Sequence, residues 1–392
     1  MSGSTSDLAI FWLVVAGRFF IPLFIPRFPL PAVVSALVLD GIDQSIFQSF
    51  THLNLDGYQS YDKALDVYYL SIAYISTMRN WRSTTAFHVS RFLFYYRLAG
   101  VMLFELAGAR WILLIFPNTF EYFFIAIEVI RLRWDPVRLS RRIVIGLAAF
   151  IWIVIKLPQE WWIHVAQLDM TDTLKTTVFG VETTDSWTAA LTNRPAATIG
   201  IIGLIVGIAA IVRWVVWPRL PDADPADRRG PRADPVPVEV STAAQRAAAR
   251  VQAGGLWSVE LLEQVVLVSL VCSIFAEMLP GVEVGPLRMT AGVAVLVVLN
   301  AAVGLWAARR GRSIESTFGA FAALMVVDSA FLLVVTSLLP GVSYNRSAMA
   351  VFLVLLVLIV VLYARYRPVL DFRTAHGLMD AATAPAATPV II

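Results

Sequence analysis

The feature that most constrains this chain is a series of eleven long apolar stretches, each close to the length that crosses a bilayer. A transmembrane helix needs about 20 mostly apolar residues to span the roughly 30 Å hydrocarbon core. Hydrophobic residues make up 58% of the 392 residues and charged residues only 15%, against about 25% charged in soluble domains. This excludes a disordered chain and an ordinary water-soluble enzyme. We therefore predict an all-α, polytopic integral membrane helical bundle with about eleven transmembrane helices. The stretches are residues 7–25, 31–49, 62–79, 96–116, 119–134, 142–158, 196–217, 256–279, 287–308, 316–339 and 347–366.

A polar stretch divides these segments into a group of seven and a group of four. Residues 218–255 alternate prolines with aspartates and arginines. Such a segment cannot bury enough apolar surface to fold alone, so we predict a cytoplasmic linker. The N-terminal membrane domain would then cover residues 1–217, and the C-terminal one, made of two helical hairpins, residues 256–366. Residues 367–392 are predicted to be a disordered cytoplasmic tail.

Four smaller patterns refine this organisation. The fourth and fifth stretches are separated only by Pro117–Thr119, so they are either two spans or one kinked helix followed by a re-entrant piece. The Ala- and Arg-rich end of the linker, 242–252, predicts a surface helix. Leu-Pro-Gly-Val at 279–282 recurs at 339–342, where it would end a helix in each C-terminal hairpin. The lone cysteine, Cys272, lies in an apolar run and is expected to be a buried core residue.

Arginines next to the apolar segments predict the orientation of the bundle. With eleven spans, the groups Arg79/Arg82, Arg131–Arg142, Arg309–Arg312 and Arg365–Arg373 all fall on one side. The positive-inside rule makes that side cytoplasmic. We therefore expect a multi-pass protein of the bacterial cell (inner) membrane, with its N-terminus extracytoplasmic and its C-terminus cytoplasmic. Because the arginines follow the spans and form no single patch, we expect no nucleic-acid partner.

Acidic residues inside two neighbouring segments are the main candidate functional group. Asp40, Asp43 and Gln44 share one face of the second segment, while Asp62 and Asp66 lie one turn apart in the third. The short connection makes these segments an antiparallel hairpin, so carboxylates of the two helices can face each other and recruit a cation. We predict that Asp40, Asp43, Asp62 and Asp66 bind a divalent cation, Mg²⁺ or Ca²⁺, and that Asp40, Asp43 and Asp66 act in catalysis. The alternative is that Asp62 caps its helix and Asp66 pairs with an arginine.

A second polar group lies on the fourth and fifth segments. Glu121 and Glu128 are seven residues apart and share a stripe of one helix. The charges either pair between helices or line one cavity with the aspartates and contact substrate. In the second half, Asp328 lies deep in its segment and needs a partner. The candidates for ion pairing or substrate binding are Gln44, Arg97, Glu105, Arg110, Glu121 and Glu128.

The aspartate pattern resembles one known family. Asp40-x-x-Asp43, then Gly57, then Asp62-x-x-x-Asp66 is similar to the carboxylate pattern of CDP-alcohol phosphotransferases. In that family, four aspartates on two neighbouring membrane helices hold metal ions for phosphoryl transfer. The likeness covers fewer than about thirty residues. Gln44 stands where the family has glycine, its Ala-Arg pair is missing, and the step from Gly57 to Asp62 is one residue too long, so we do not assign the chain to it.

Three functions fit these observations. The first is a cation-dependent transferase or hydrolase acting on a lipid-linked substrate, with the aspartates holding the cation or acting as base. The second is a cation- or proton-coupled secondary transporter in which the same carboxylates bind the coupling ion. The third is a non-catalytic membrane scaffold or assembly subunit whose charges only pair helices. In each case the lipid bilayer is the first expected partner.

Overall fold

The computed structural model describes residues 5–51, 58–168, 170–216, 218, 232–252, 256–278, 286–314, 316–338 and 346–380, and every regular element among them is helical. The first six helices are α1 Thr5–Phe20, α2 Pro29–Phe50, α3 Tyr58–Asn80, α4 Thr84–Ala107, α5 Trp111–Ile115 and α6 Thr119–Arg131. The middle helices are α7 Arg141–Phe150, α8 Leu157–Glu160, α9 Met170–Thr173, α10 Trp187–Asn193 and α11 Pro195–Ile211. The last five are α12 Ala243–Gln252, α13 Val259–Met278, α14 Pro286–Arg309, α15 Thr317–Leu338 and α16 Arg346–Ala375.

Several elements continue one another. The π-helical segment Ile151–Lys156 joins α7 and α8 into one rod, and a second one, Trp161–Val165, extends α8. Another π-helical segment, Leu174–Phe179, extends α9, and Val212–Val216 extends α11. A short 3₁₀ helix over Ile21–Phe24 extends α1.

Within the described residues, nine helical stretches are long and apolar enough to cross a membrane. They lie in α1, α2, α5–α6, α7–α8, α11 and α13 to α16. Two further helices, α3 and α4, contain 23 and 24 residues, long enough to span at about 1.5 Å per residue. Both are more polar than the nine, because α3 carries Asp62, Lys63 and Asp66, and α4 carries Arg91 and Arg97.

Apolar surface is exposed and polar surface is buried, as expected for a protein whose solvent is lipid. The span in α11 is among the most apolar, yet it has no buried residue, and Ile199 and Leu204 on it are more than 60% exposed. By contrast, α3 is buried along almost every turn from Ala64 to Met78. Apolar faces turn outward and polar ones inward because hydrocarbon cannot satisfy a hydrogen-bonding group. This pattern supports the membrane-embedded character predicted from composition.

The central helix α3 joins the two halves of the chain. It packs against α2 and α4 on one side and against α13 and α16 on the other. One continuous hydrophobic core includes Ile75 of α3, Phe94 of α4, Val268 of α13 and Leu356 of α16. Tyr74 stacks on Phe94 with ring centroids 4.5 Å apart. The division into membrane domains 1–217 and 256–366 stays a prediction, and the helices of both ranges share this core.

One end of the bundle, here called the basic end, collects arginines from separate segments. The Arg79 guanidinium donates to the Pro26 carbonyl (2.8 Å), and Arg373 donates to the Arg79 carbonyl (2.6 Å). Part of the predicted linker docks here, because the Ala233 N–H donates to the Arg27 carbonyl (2.9 Å). The surface helix predicted over 242–252 is present as α12, which packs on α14 and α16.

The fourth predicted segment differs most from the structure. Residues 96–116 contain the end of α4, a turn and α5, because α4 starts at Thr84, twelve residues before the predicted boundary. Ser83 caps it by accepting a hydrogen bond from the Ala86 N–H (3.3 Å). It ends at Gly108, whose φ of +66° is the left-handed conformation that glycine adopts most readily.

Three predictions fall outside the described residues. These are the two Leu-Pro-Gly-Val repeats and the end of the C-terminal tail, 381–392. Gly57 of the aspartate pattern and the Asp62 side chain also lie outside them.

Candidate functional site

Three of the four predicted aspartates lie around an arginine of the first helix. Arg18 of α1 donates through Nη1 to Asp43 Oδ2 (2.5 Å) and through Nη2 to Asp40 Oδ1. The same Nη2 donates to Asp66 Oδ1 of α3 (3.2 Å). We call these four residues the Arg18 cluster. One guanidinium thus bonds to three carboxylates from two other helices.

The Arg18 cluster lies deep in the bundle. Asp40 is halfway along α2, about 16 Å from either end at the helical rise. The side chains of Arg18 and Asp43 are 3% and 0% exposed, while those of Asp40 and Asp66 retain 22% and 23%. Two of the aspartates are therefore reachable from outside the packed core, and the third is not.

Local helical geometry explains how the cluster assembles. A spacing of three places Asp40 and Asp43 on one face of α2. The turn over residues 25–28 folds α1 back against α2, and α3 packs beside both. An arginine suits this position because its planar fork carries five donors and can serve several carboxylates at once. A buried guanidinium would otherwise cost several kcal/mol in lost hydration.

A second buried network starts one turn further along α3. The Tyr69 hydroxyl donates to Glu121 Oε1 of α6, and the Asn118 side-chain amide donates to Glu121 Oε2 (2.8 Å). The Asn118 backbone N–H donates to Glu160 (3.0 Å), which also pairs with His164 (3.0 Å). Hydrogen bonds therefore connect the end of the bundle opposite the basic end with the middle of α3.

A third network extends from α6 to the basic end. Glu128 accepts hydrogen bonds from Trp81 Nε1 (2.7 Å) and from Arg131 Nη1 (2.7 Å). Arg131 also pairs with Asp234 of the linker (3.2 Å). The predicted stripe of Glu121 and Glu128 is thus buried against α3 and the segment after it, and each glutamate has polar partners.

The halves of the chain also meet through charged groups. Glu263 of α13 accepts from the Tyr74 hydroxyl of α3 (2.5 Å) and pairs with Arg367 of α16. Arg91 of α4 approaches the same carboxylate (3.4 Å), and Arg367 also pairs with Asp371 (2.8 Å). This Arg367 cluster resembles the Arg18 cluster, since one arginine again serves several carboxylates. No sequence motif indicated it.

The remaining predicted residues lie nearby in the fold. The Gln44 N–H donates to Asp43 Oδ1 (2.6 Å), and Arg97 donates to the Phe116 carbonyl (3.0 Å). Glu105 lies near the end of α4, and Arg110 directly precedes α5; both are half-buried. Asp328, expected to need a partner, accepts from the Asn300 amide (3.0 Å).

The described part of the chain has no preformed cluster of metal ligands. No group of three or more His, Cys, Asp or Glu side chains there has the arrangement that a metal ion needs. Each aspartate of the Arg18 cluster already gives an oxygen to the guanidinium. The Mg²⁺ or Ca²⁺ site with Asp62 stays a prediction.

Arg18 is the functional residue that sequence reasoning did not connect to the aspartates. Its only signal was that it interrupts the first apolar run, where an unpaired charge would be costly. The sequence leaves pairing of Asp66 with an arginine as an alternative to metal binding, and in the structure Arg18 is that partner.

Comparisons of the chain with protein-family models, with curated proteins and with solved structures gave no match.

Proposed function

We propose that this chain is a secondary transporter in which the Arg18 cluster binds and releases a proton or another monovalent cation. The observation that supports this is the convergence of three carboxylates on one buried guanidinium halfway along α2. Ionisable side chains at such depth are costly and mark ion or proton pathways. Coupling-ion sites of transporters lie near the bilayer midplane.

The geometry links ion binding to helix position. Arg18 is the only ionisable residue of α1 after Asp7, and its bonds tie α1 to α2 and α3. Protonation of Asp40 or Asp66 removes a negative charge and weakens the attraction of that aspartate for Arg18. The protonated and ionised clusters therefore bind α1 with different strength. Coupling of proton binding to a movement of α1 requires such a difference.

A proton or monovalent ion suits this site better than a divalent one. Ca²⁺ takes six to eight oxygen ligands and Mg²⁺ demands an octahedral set. Here the guanidinium already bonds to one oxygen of each aspartate, so fewer oxygens of the cluster remain than either ion takes.

The bundle is further proposed to have eleven spans. Adding α3 and α4 to the nine apolar stretches gives that number, and the ends of α3, α6 and α16 then fall together at the basic end. The contacts Arg79–Pro26, Arg131–Asp234 and Arg373–Arg79 support this grouping. With the basic end cytoplasmic, the N-terminus is extracytoplasmic.

The proposal is tested by flux measurements on purified protein in liposomes. Amino acids, sugars and small organic ions are applied under an imposed pH gradient while charge movement is recorded. We expect at least one solute to give a gradient-dependent signal in the wild type, which Asp40→Asn/Asp43→Asn removes. Asp185→Asn, in an exposed turn where Asp185 accepts from the Glu182 N–H (2.9 Å), is the matched control and retains it.

Two outcomes contradict the proposal. A signal that survives in the Asp40→Asn/Asp43→Asn variant removes the Arg18 cluster from the mechanism. A folded wild type that responds to none of the solutes or ions, and whose double variant is equally well folded, favours a structural scaffold.

A second candidate is a transferase or hydrolase acting on a lipid-linked substrate. The observation favouring it is the pair Glu160–His164 (3.0 Å) near the end opposite the basic end, since a carboxylate-oriented imidazole is a common general base. Turnover of polyprenyl phosphate or phospholipid substrates, with and without EDTA, tests it. Loss of turnover in His164→Gln would support this candidate. Unchanged turnover would show that His164 is not the general base.

A further inference from the structure

The C-terminal half contains a cavity that the proposed function does not use. It lies between α14, α15 and α16 at the basic end, has a volume of about 230 Å³, and is covered on one side by α12. Gly304, Ala320 and Ala364 form part of a wall of small apolar side chains. The cavity thus has room along its length without any large side chain reaching across it.

The charge of the cavity has one sign. Among its described lining residues, the ionisable ones are Arg246, Arg312 and Arg365. Arg365 bonds to the Thr317 hydroxyl, and Arg246 donates to the carbonyls of Val240 (3.1 Å) and Ser241 (2.6 Å). A guanidinium has five donors, so the bond to Thr317 leaves Arg365 with donors for another group. Arg312 is exposed in the turn after α14.

The cavity also borders the bilayer. The apolar stretch of α15 is only 6% buried, and Phe318 and Val326 on it are about 70% exposed or more. α14 packs closely on α13 and only sparsely on α15. A molecule lying in the membrane beside α15 can therefore extend into the cavity. At the far end the cavity reaches Asn300, which pairs with Asp328, so an apolar group is accommodated between the arginines and that pair.

We propose that this cavity binds an anionic lipid, with its phosphate on Arg312 and Arg365 and the start of an acyl chain along the small-residue wall. Arginines recognise phosphate through paired, charge-assisted hydrogen bonds. Basic pockets between membrane helices on the cytoplasmic side bind anionic lipid headgroups in this way. The apolar wall distinguishes a lipid from free phosphate, because inorganic phosphate has nothing to place against Ala320 and Ala364.

The test is retention of lipid by purified full-length chain in native mass spectrometry. Equal amounts of dioleoyl phosphatidylglycerol and dioleoyl phosphatidylcholine are added after delipidation, and the bound species are counted. We expect the wild type to retain one phosphatidylglycerol in preference. Arg312→Gln should weaken that preference about fivefold, and Arg312→Lys should restore part of it. Arg310→Gln is the control, since the Arg310 guanidinium lies over the Trp306 ring (4.4 Å) and does not line the cavity.

A second pair of variants separates the cavity from general surface charge. Ala320→Leu fills the wall while leaving all arginines in place, and should reduce retention of lipid. Ala322→Leu, on the exposed side of the same helix, should leave it unchanged. Equal retention by wild type, Arg312→Gln and Ala320→Leu would overturn the proposal. Displacement of the lipid by millimolar inorganic phosphate alone would assign the site to a free anion instead.

Discussion

At the residue scale, Arg18 is harder to replace than any one of the three aspartates with which it pairs. Replacing one aspartate leaves the guanidinium with two partners, but replacing Arg18 leaves three carboxylates close together inside the bundle. Removing one partner of a buried ion pair is costly because the remaining charge loses both water and counter-charge. Replacing Arg18 should therefore cost much more stability than replacing one of the aspartates.

We predict that Arg18→Gln destabilises the protein by about 3–5 kcal/mol, and Asp43→Asn by less. The measurement is thermal unfolding of purified protein in detergent. Arg18→Gln/Asp43→Asn should be more stable than Arg18→Gln alone, because one of the repelling charges is gone. Arg141→Gln, at an exposed helix start, is the control. Equal stability of Arg18→Gln and wild type would show that the cluster contributes little to the fold.

Sequence reasoning could predict the aspartates but not their partner. The spacing of Asp40 and Asp43 and the hairpin to Asp66 follow from helical periodicity. Which residue faces them depends on how α1 is rotated about its axis, and nothing in the apolar run around Arg18 encodes that rotation. Asn300 beside Asp328 escaped prediction for the same reason.

At the element scale, a polar helix is buried and an apolar helix is exposed, which is the reverse of the arrangement in water-soluble proteins. The polar helix α3 is the most enclosed, and the apolar α11 has no buried residue. Hydroxyls of Ser71, Ser76 and Thr77 in α3 donate to carbonyls three or four residues earlier (2.6 to 2.7 Å). These bonds satisfy the side chains within the helix, so α3 can be polar and still pack tightly.

Close packing at one helix position gives a prediction at this scale. A Cβ added at Gly100 of α4 would lie 2.1 Å from Phe116 Cβ, whereas one added at Gly146 of α7 meets nothing within 4 Å. Gly100→Ala should therefore push the α5 turn away and cost about 1–3 kcal/mol, while Gly146→Ala should change stability by less than about 0.5 kcal/mol. Detergent unfolding temperatures compare the two variants. Equal unfolding temperatures of the two variants would show that the α5 turn moves aside at little cost in stability.

The helical class and most helix positions could be predicted, because length and apolarity alone determine which stretches can cross a bilayer. The exception was α4, where Phe92 and Phe94 lie among His88, Arg91 and Arg97, and the mixture hides the start of the helix. Its boundary depends on the Ser83 cap and on contacts with α13. Such tertiary contacts leave no periodic signal in the sequence.

At the scale of the whole molecule, the basic end collects segments that are far apart in the chain. Ionic contacts between α6 and the linker, and a hydrogen bond between Thr84 N–H and Asp380 (2.8 Å), hold them together. The sequence predicted a common side for these arginines. The sequence could not predict that the linker packs against this end. Packing is inferred from apolar surface, and the composition of the linker provides little of it.

The orientation can be measured with the help of the buried cysteine. Cys272 is fully buried, so we expect it to react little with a membrane-impermeant maleimide. Ser313→Cys, at the basic end, should label only in inverted vesicles. Thr184→Cys, in the exposed turn before α10, should label in intact cells. Labelling of both from the same side would contradict the eleven-span arrangement.

Because α3 lies at the centre of the bundle, its packing is completed only late in assembly. One side of α3, which carries Tyr74, is covered by α13 and α16, which begin at Val259 and Arg346 and leave the ribosome long after it. Charged residues enter hydrocarbon from the translocon at a cost of several kcal/mol. Newly inserted α3 must therefore be stabilised by Arg18 and α2 until the last helix is inserted. A ribosome that stalls before that helix leaves a half-built bundle in which Glu263 lacks the counter-charge of Arg367.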